Sequence, residues 1–321
     1  MRWLWLMAIF ALVSPAGAEP REIEHRYGTT HVDGTPTRVV SLSFIGHDFL
    51  LSLGVKPIAL RYWYGNHPYG VWPWAQEALG DATPQVIYGE INIEQIALMQ
   101  PDLIVGQWSG MTETDYRFLS QIAPTLPPAK GEGDYSSSWQ TMTRQLGLAL
   151  NRMDQAEAII TRLEDRFAEV RAAHPEWQGK SSAVVWPARI SAYTSKDIRS
   201  RFLTDFGFAA QSQIDEQVGA NAFLVNVPQE DLTPIDVDLL MWTETANLPQ
   251  ALDGIALRKT MRAYREGREI YADPDLTAAL AHSSPLSLDY AIEHMIPLVA
   301  SAMDGDPKTQ VATMAAEGVA P

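Results

Sequence analysis

The residues best suited to hold a ligand are the aromatic side chains between Arg61 and Gly80, in the stretch RYWYGNHPYGVWPWAQEALG. Indole and phenol rings offer broad apolar faces with one polar edge, which suits binding by contact area rather than bond-making chemistry. The same rings also fill protein cores, so their number alone leaves both roles open. The aromatic residues of this stretch are Tyr62, Trp63, Tyr64, Tyr69, Trp72 and Trp74.

Two glycines and two prolines interrupt this aromatic stretch and oppose both helix and strand, which predicts a loop. They are Gly65, Pro68, Gly70 and Pro73. The loop follows a predicted strand, and loops at the carboxyl ends of strands in α/β sheets usually line ligand clefts. We therefore expect at least three of the six rings to face a ligand. Trp74, which precedes a short helix AQEALG, is expected to pack the loop instead.

Tryptophans also follow other predicted strands. Trp108 comes after PDLIVGQ, Trp186 after SSAVV and Trp242 after DVDLLM. Because the carboxyl ends of parallel strands share one edge of a sheet, all three are expected to face one cleft. Capping of the sheet edges is the alternative explanation for each of them.

Arginines lie near the same strand ends, at Arg61, Arg189 and Arg199. A guanidinium there can pair with an anionic ligand or stack on an aromatic ring. A lone arginine near a strand end can also be an ordinary surface charge. We expect Arg61 or Arg189 to orient the polar groups of a ligand.

Catalytic and metal-binding motifs are missing from the sequence. It has no G-x-S-x-G elbow, no phosphate loop and no G-x-G-x-x-G after the first strand. It also has no cysteine, and its seven histidines are scattered without ligand spacing. We therefore expect neither an enzyme nor a metal site formed by protein side chains. The formal charge of −15 argues against binding nucleic acid or anionic lipid through a basic surface.

The elements that must position these residues alternate between strand and helix. TRVVSLSF reads as a buried strand, IGHDFLLSLG as a helix and VKPIAL as a second strand. Residues 151–174 instead place apolar side chains three and four positions apart, which predicts one amphipathic helix of ~30 Å. After it, SSAVVW and DIRSRFLTDFG resume the alternation. The predicted fold class is α/β, with two Rossmann-like lobes bridged by one long α-helix and a ligand cleft between the lobes.

An internal repeat supports this division. The segment NIEQIALMQPDLIVG, which begins at Asn92, aligns without a gap on PQEDLTPIDVDLLMW, which begins at Pro228, at an offset of 136. Glu94 falls on Glu230, each in the first turn of a predicted short helix, where a carboxylate also gains from the helix dipole. The aromatic loop has no counterpart in the second half, so it distinguishes the two lobes.

The first eighteen residues, MRWLWLMAIFALVSPAGA, have the layout of a secretory signal cleaved after Ala18. Their apolar run is shorter than the ~20 residues of a membrane span. Export without an anchoring cysteine fits a Gram-negative periplasm. The predicted organisation is a signal peptide 1–18, an N-terminal lobe 19–150, a bridging helix 151–174, a C-terminal lobe 175–303 and a flexible tail 304–321.

From about Thr37 to Met303 the sequence resembles the periplasmic binding proteins of ABC importers that share a rigid helical backbone. This group handles iron-siderophores, haem and cobalamin. The most specific parts are RVVSL, GEINIEQIALMQPDLIVG, the long central helix and the loop HPYGVWPWAQEALG, which is similar to that of ferrichrome and hydroxamate binders. The resemblance implies a monomer that delivers a ferric siderophore to an inner-membrane permease, with no cofactor of its own.

The resemblance also implies roles for particular residues. One glutamate on each lobe docks on the permease subunits, which by position are Glu94 and Glu230. Hydroxamate binders can carry an arginine before the N-x-E element, whereas this chain has Glu90, which suits a neutral or amine-bearing ligand. Haem, held by a tyrosine or histidine, is the alternative ligand, and cobalamin comes third. The expected ligand-binding residues are Arg61, Tyr62, Trp63, Tyr64, Trp72, Glu90, Trp108, Trp186, Arg189, Tyr193, Phe223 and Trp242.

Overall fold

The computed structural model describes residues 20–210, 212–217 and 222–319, so the predicted signal segment lies outside the described residues. Strands and helices alternate along most of the chain. The strands are β1 (Arg21–His25), β2 (Gly28–Val32), β3 (Val39–Ser41), β4 (Ala59–Arg61), β5 (Gln85–Ile87), β6 (Leu103–Val105), β7 (Thr125–Leu126), β8 (Ser181–Trp186), β9 (Ser191–Tyr193), β10 (Ala209–Ala210), β11 (Leu224–Asn226), β12 (Leu239–Trp242) and β13 (Glu269–Tyr271).

Helices connect these strands and cover the sheets. They are α1 (Gly46–Ser52), α2 (Pro73–Leu79), α3 (Ile93–Leu98), α4 (Glu113–Leu119), α5 (Trp139–Ala149), α6 (Met153–Ala173), α7 (Ile198–Asp205), α8 (Ser212–Asp215), α9 (Leu248–Asp253), α10 (Arg262–Arg265), α11 (Pro274–His282), α12 (Pro285–Ala302) and α13 (Ala312–Ala316). Short 3₁₀ turns occur at Pro68–Gly70, Pro175–Trp177, Pro187–Arg189, Thr233–Ile235 and Arg258–Thr260.

The N-terminal sheet has the strand order β5-β4-β3-β6-β7, and all neighbouring strands run parallel. Successive side chains of a strand point to opposite faces, and both faces are covered here. Val40 and Ile104 pack into a cluster that also includes Ile96 of α3 and Leu119 of α4. On the other face, Leu103 joins the main core with residues of α1, α5 and α6.

The C-terminal sheet has the order β11-β9-β8-β12-β13, with β10 beside the start of β8. Strands β8, β12 and β13 are parallel, as predicted for a Rossmann-like lobe. Strand β9 runs antiparallel to β8, because the chain turns back after β8 through Pro187–Arg189 and forms a hairpin. Strand β11 in turn pairs antiparallel with β9. The α/β fold class predicted from the sequence is confirmed, with a mixed sheet in the second lobe.

One aspartate in each lobe ties neighbouring strands together at their starts. Asp102, just before β6, accepts hydrogen bonds from the backbone N–H groups of Thr37 (2.7 Å) and Arg38 (2.7 Å). Asp238, just before β12, accepts hydrogen bonds from the N–H and the hydroxyl of Ser181, both at 2.9 Å. The two aspartates are equivalent in the internal repeat, and each accepts hydrogen bonds from the start of a neighbouring strand or from the residues just before it. The repeat is therefore visible in the structure.

The repeat is less regular around its glutamates. Glu94 lies in the first turn of α3, whose N-cap Asn92 accepts a hydrogen bond from the N–H of Gln95. Glu230 lies in a turn before the 3₁₀ segment Thr233–Ile235, so its predicted place in a helix is wrong. Pro234 accounts for the difference, because proline disfavours helical backbone at the preceding residue and lacks an N–H.

The apolar spacing predicted one long helix over residues 151–174, and the structure has it as α6. Along the chain, α6 lies between the strands of the two sheets. Its buried residues include Ile160, Leu163 and Phe167, and it packs on α5 and α12. Helix α12 makes a second connection, because it contacts α1 and α2 of the first lobe as well as β13 of the second. The apolar core runs without a break from Phe49 of α1 to residues of β12. Helix α6 is therefore the predicted bridging helix, and α12 and the shared core add further contacts between the lobes.

The C-terminal tail contains the short helix α13, which packs against β13 and buries Val311 and Met314. This helix was not predicted, and the flexibility expected for the tail stays a prediction. Within the described part of the chain, none of the helices combines the length and the apolar character needed to span a membrane.

Candidate functional site

The aromatic stretch forms a loop that leaves the end of β4, as predicted. Pro68–Gly70 makes a 3₁₀ turn in which Tyr69 has a φ of 58°, and α2 begins at Pro73. Gly65, with a φ of 93°, lies so close to Trp72 that a Cβ atom there would meet the indole at 2.8 Å. The loop is therefore folded on its own aromatic side chains.

Trp63 is at the centre of an aromatic wall, which we define as Trp63, Tyr64, Trp72, Trp108 and His282. The Trp63 ring centroid lies 4.6 Å from that of Tyr64, 6.3 Å from that of Trp108 and 5.5 Å from that of His282. Trp63 and Tyr64 are half-buried, whereas Trp72 and Trp108 are buried behind them. His282 ends α11, so the wall lies where the two lobes meet.

Polar groups of the C-terminal lobe face this wall. Burial raises the pKa of the Tyr64 hydroxyl, an effect opposed by Arg199 and increased by Tyr193 and Glu244. The Arg199 guanidinium lies 4.6 Å from the Tyr193 ring centroid. Its Nη1 donates to both carboxylate oxygens of Asp197, at 3.1 and 3.0 Å. Tyr193 was expected near the ligand, whereas Glu244 gave no signal in the sequence.

Arg61 is a structural residue, and its expected role in orienting a ligand is not supported. Its Nε donates to the carbonyl oxygen of Gly89 and its Nη1 to that of Ser109, both at 2.9 Å. The guanidinium also lies 4.3 Å from the ring centroid of Phe44, and the side chain is buried. Burial lowers the pKa of Arg61, while the nearby Glu90 raises it. Arg61 thus fastens two loops at the strand ends beneath the wall.

Trp242 was also expected to face the cleft, and this prediction is wrong. It is fully buried, and its Nε1 donates to Glu269 Oε1 at 2.9 Å. Glu269 in turn accepts from Arg258 Nε at 2.9 Å and from Arg258 Nη2 at 2.6 Å. Trp242 is still the last residue of β12, so a side chain on an inner face of the sheet was mistaken for one at its edge.

Four other candidates, Tyr62, Glu90, Trp186 and Arg189, lie around the rim of the cleft or apart from it. The hydroxyl of Tyr62 donates to the carbonyl oxygen of Gly65 at 2.8 Å, and Glu90 is fully exposed 3.9 Å from Arg61 Nη2. Exposed Arg189 lies over half-buried Trp186, with its guanidinium carbon 5.7 Å from the ring centroid. Arg189 lines a separate cavity of about 370 Å³ with Gln229 and Asn247.

A larger cavity of about 950 Å³ opens between the loop 131–138 of the first lobe and α7 of the second. Phe223, 47% exposed, is the expected site residue that lines it. Tyr135 also lines it and contacts Trp108, with ring centroids 5.2 Å apart, and Ser283 lines it directly after His282. The cavity therefore adjoins the aromatic wall. The sequence did not point to the loop that carries Tyr135.

A buried polar cluster supports the wall from behind. Asp48 Oδ2 accepts hydrogen bonds from Trp74 Nε1 at 2.7 Å and from Ser284 Oγ at 2.8 Å. His47 Nε2 lies 3.4 Å from Asp48 Oδ1. Burial lowers the pKa of His282 to about 4, with the Asp48 carboxylate opposing it. Asp48 thereby links α1, the aromatic loop and the start of α12, and Trp74 packs the loop as expected.

Comparison with known proteins agrees with this architecture. The sequence profile of a family described as periplasmic binding protein matches residues 39–276. The chain belongs to this family. It is 27% identical over 201 residues to the probable siderophore-binding lipoprotein YfiY of Bacillus subtilis strain 168. That alignment covers 58% of this chain and 58% of YfiY, so it spans little more than half of that relative's length.

Solved structures of such binding proteins superpose on most of the chain. A periplasmic solute binding protein from Mycobacterium smegmatis strain MC2 155 shares 31% identity and a TM-score of 0.78, covering 88% of this chain and 99% of that one. PiaA of Streptococcus pneumoniae TIGR4, solved in complex with ferrichrome, shares 25% identity and a TM-score of 0.75, covering 89% and 99%. The two-lobed fold is therefore that of periplasmic binding proteins.

In this periplasmic binding protein, the described ranges contain no group of three or more histidine, aspartate or glutamate side chains placed to hold a metal ion. What the cleft offers instead is aromatic surface and hydrogen-bonding groups. Trp63 and Tyr64 come from one lobe, and Tyr193, Arg199 and Glu244 from the other. Such a site can bind an organic ligand by stacking and hydrogen bonding.

Proposed function

We propose that this protein captures a ferric siderophore in the periplasm and delivers it to an inner-membrane ABC importer, without chemistry of its own. The main support is the aromatic wall, in which Trp63 and Tyr64 lie opposite Tyr193 and Arg199. A cavity of about 950 Å³ between the lobes adjoins it. Clefts of this size usually hold ligands of drug-like dimensions or larger. The ligand-bound relative PiaA and the family membership support the same class of ligand.

The iron is held by the siderophore and not by the protein in this proposal. A siderophore supplies its own oxygen ligands, so the binding site needs only shape, apolar contact and hydrogen bonds. Tyr64 and Tyr193 suit that role, because a phenol is protonated at neutral pH and can donate, and burial raises the pKa of both hydroxyls further. Raised pKa values also make these phenols poor candidates for direct ligation of iron.

Glu94 and Glu230 are proposed as the contacts with the permease. Both side chains are exposed, one in the first turn of α3 and the other in the turn after β11. They come from equivalent positions of the two lobes, so they can engage a permease built from two related subunits. Glu94→Ala with Glu230→Ala should leave ligand affinity unchanged and reduce uptake in cells. Normal uptake by the double variant would contradict this assignment.

Native mass spectrometry of the purified protein tests the ligand class. A panel of ferric siderophores, haem and cobalamin should give one bound ferric siderophore per chain. Trp63→Ala with Tyr64→Ala should weaken that complex at least about tenfold, since each ring removed from a desolvated site costs on the order of 1–3 kcal/mol. Phe118→Ala, at an exposed aromatic residue of α4 away from the cleft, is the matched control. Retention of haem alone, with a Soret absorption band, would replace the siderophore proposal.

A further inference from the structure

The charged groups around the cleft are already paired with one another. At the aromatic wall, Arg61 donates hydrogen bonds to two backbone carbonyl oxygens, and its Nη2 lies 3.9 Å from the carboxylate of Glu90. Arg199 is neutralised by the carboxylate of Asp197, with which Nη1 makes two hydrogen bonds. Each of these guanidinium charges therefore has a carboxylate partner before any ligand arrives.

The adjoining cavity is balanced in the same way. Its described charged lining consists of Arg26, Lys196, Arg201, Glu132, Asp134 and Asp205. Arg26 pairs with Asp134, and Arg201 Nη1 donates to the carbonyl oxygen of Ser136 at 2.9 Å. Basic and acidic side chains thus offset each other, in a chain whose formal charge is −15.

Glu244 adds a further carboxylate to the aromatic wall. It is half-buried and close enough to Tyr64 to influence that hydroxyl. On the donor side, Arg199 Nε is buried without a hydrogen-bond partner. This N–H can donate a hydrogen bond to an oxygen of the ligand, while the charge of the guanidinium is already offset by Asp197.

An anionic ligand would enter such a site at a disadvantage. Moving a charge out of water is unfavourable unless an opposite charge compensates it. Here the cations are compensated internally, and Glu90 and Glu244 would repel a polyanion. A neutral complex avoids both effects, and an amine-bearing one gains from the carboxylates.

We propose that the cleft selects ferric siderophores of zero or positive net charge, such as ferric trihydroxamates, over polyanionic ones such as ferric tricatecholates. This selection rests on the siderophore function proposed above. The specificity comes from the Asp197–Arg199 pair and from Glu244, which together leave the aromatic wall without an uncompensated positive charge.

Isothermal titration calorimetry of the purified protein tests the selection with four probes. They are ferrichrome, a linear ferric trihydroxamate with a free amine, a ferric tricatecholate and ferric citrate. Both trihydroxamates should bind at least about tenfold more tightly than the two anionic complexes. Raising the salt concentration should narrow the gap, because it screens the repulsion.

Charge-changing variants assign the selection to particular residues. Glu244→Gln should improve the affinity for the ferric tricatecholate relative to that for ferrichrome at least about threefold. Asp197→Asn should act in the same direction, because it leaves the Arg199 charge uncompensated. Asparagine can still accept the α7 N-cap hydrogen bond that Asp197 accepts from the Arg199 N–H. Glu169→Gln, at an exposed position of α6, is the matched control and should change neither affinity.

The outcomes separate this inference from the proposed function. Tighter binding of the tricatecholate or of ferric citrate than of ferrichrome would overturn the charge selection and leave the siderophore function standing. Equal effects of Glu244→Gln on neutral and anionic probes would also overturn it. Binding of no siderophore in the panel would overturn the proposed function and the selection with it.

Discussion

The two lobes share one plan but use the ends of their strands differently. After β4 the N-terminal lobe extends a long loop, in which Trp63 and Tyr64 are half-buried at the lobe junction. After β8 the C-terminal lobe turns back as a hairpin and brings Tyr193 and the following α7 to the same junction. The first lobe therefore contributes apolar surface and the second contributes polar groups. The internal repeat gives both lobes a similar scaffold, and the segments after their strands bring different side chains to the junction.

The largest effect is expected from replacing Trp242, which lies at the end of β12 and is buried in the core of the C-terminal lobe. Trp242→Ala should lower the free energy of unfolding by about 3–5 kcal/mol, because it opens a cavity beside β12 and leaves Glu269 with one donor fewer. Trp63→Ala, in the half-buried wall, should lower the free energy of unfolding by less than half as much and should also weaken ligand binding. Urea unfolding followed by circular dichroism measures both. Equal losses of stability would erase the distinction between core and wall.

That distinction marks the limit of what the sequence predicts. Periodicity located α6 and the parallel strands, because burial on one face leaves a repeat that can be read along the chain. The side chain of Trp242 could not be placed, since the last residue of a strand can point to either face. Glu244, His282 and Tyr135 join the site only through tertiary packing, in segments without a diagnostic spacing. Arg61 was misread because backbone carbonyl partners leave no mark in a sequence.

The junction between the lobes should be sensitive to acid. Burial holds the pKa of His282 at about 4, below the ~6.5 of an unfolded chain. The unfolded state therefore binds the extra proton between these values, and stability falls as the pH drops from about 6.5 to 4. The loss should reach about 2–3 kcal/mol and be reduced in His282→Gln.

Urea unfolding at pH 6.5, 5.5 and 4.5 measures this loss. His31→Gln is the matched control, because this histidine is exposed on β2. A stability profile of His282→Gln that runs parallel to that of the original protein would show that acid acts elsewhere.

The smallest effect is expected at Asp102, and its comparison with the equivalent Asp238 tests whether the lobes remain equivalent. Asp102→Ala should cost about 1–2 kcal/mol and Asp238→Ala about 2–3 kcal/mol, because Asp238 is also 3.1 Å from both Arg262 Nη2 and Arg268 Nη1. Burial opposes ionisation of Asp238, but the hydrogen bonds from Ser181 outweigh it and hold its pKa below the usual value.

The pH dependence of Asp238 follows from that lowered pKa. The stabilisation by ionised Asp238 is present above about pH 4 and is lost as the pH falls further. In Asp238→Asn, the free energy of unfolding should therefore depend less on pH below about pH 4. Because the two aspartates lie in different lobes, their losses in the double alanine variant should add to within about 0.5 kcal/mol. A clearly smaller combined loss would mean that the two aspartates are energetically coupled through the shared core.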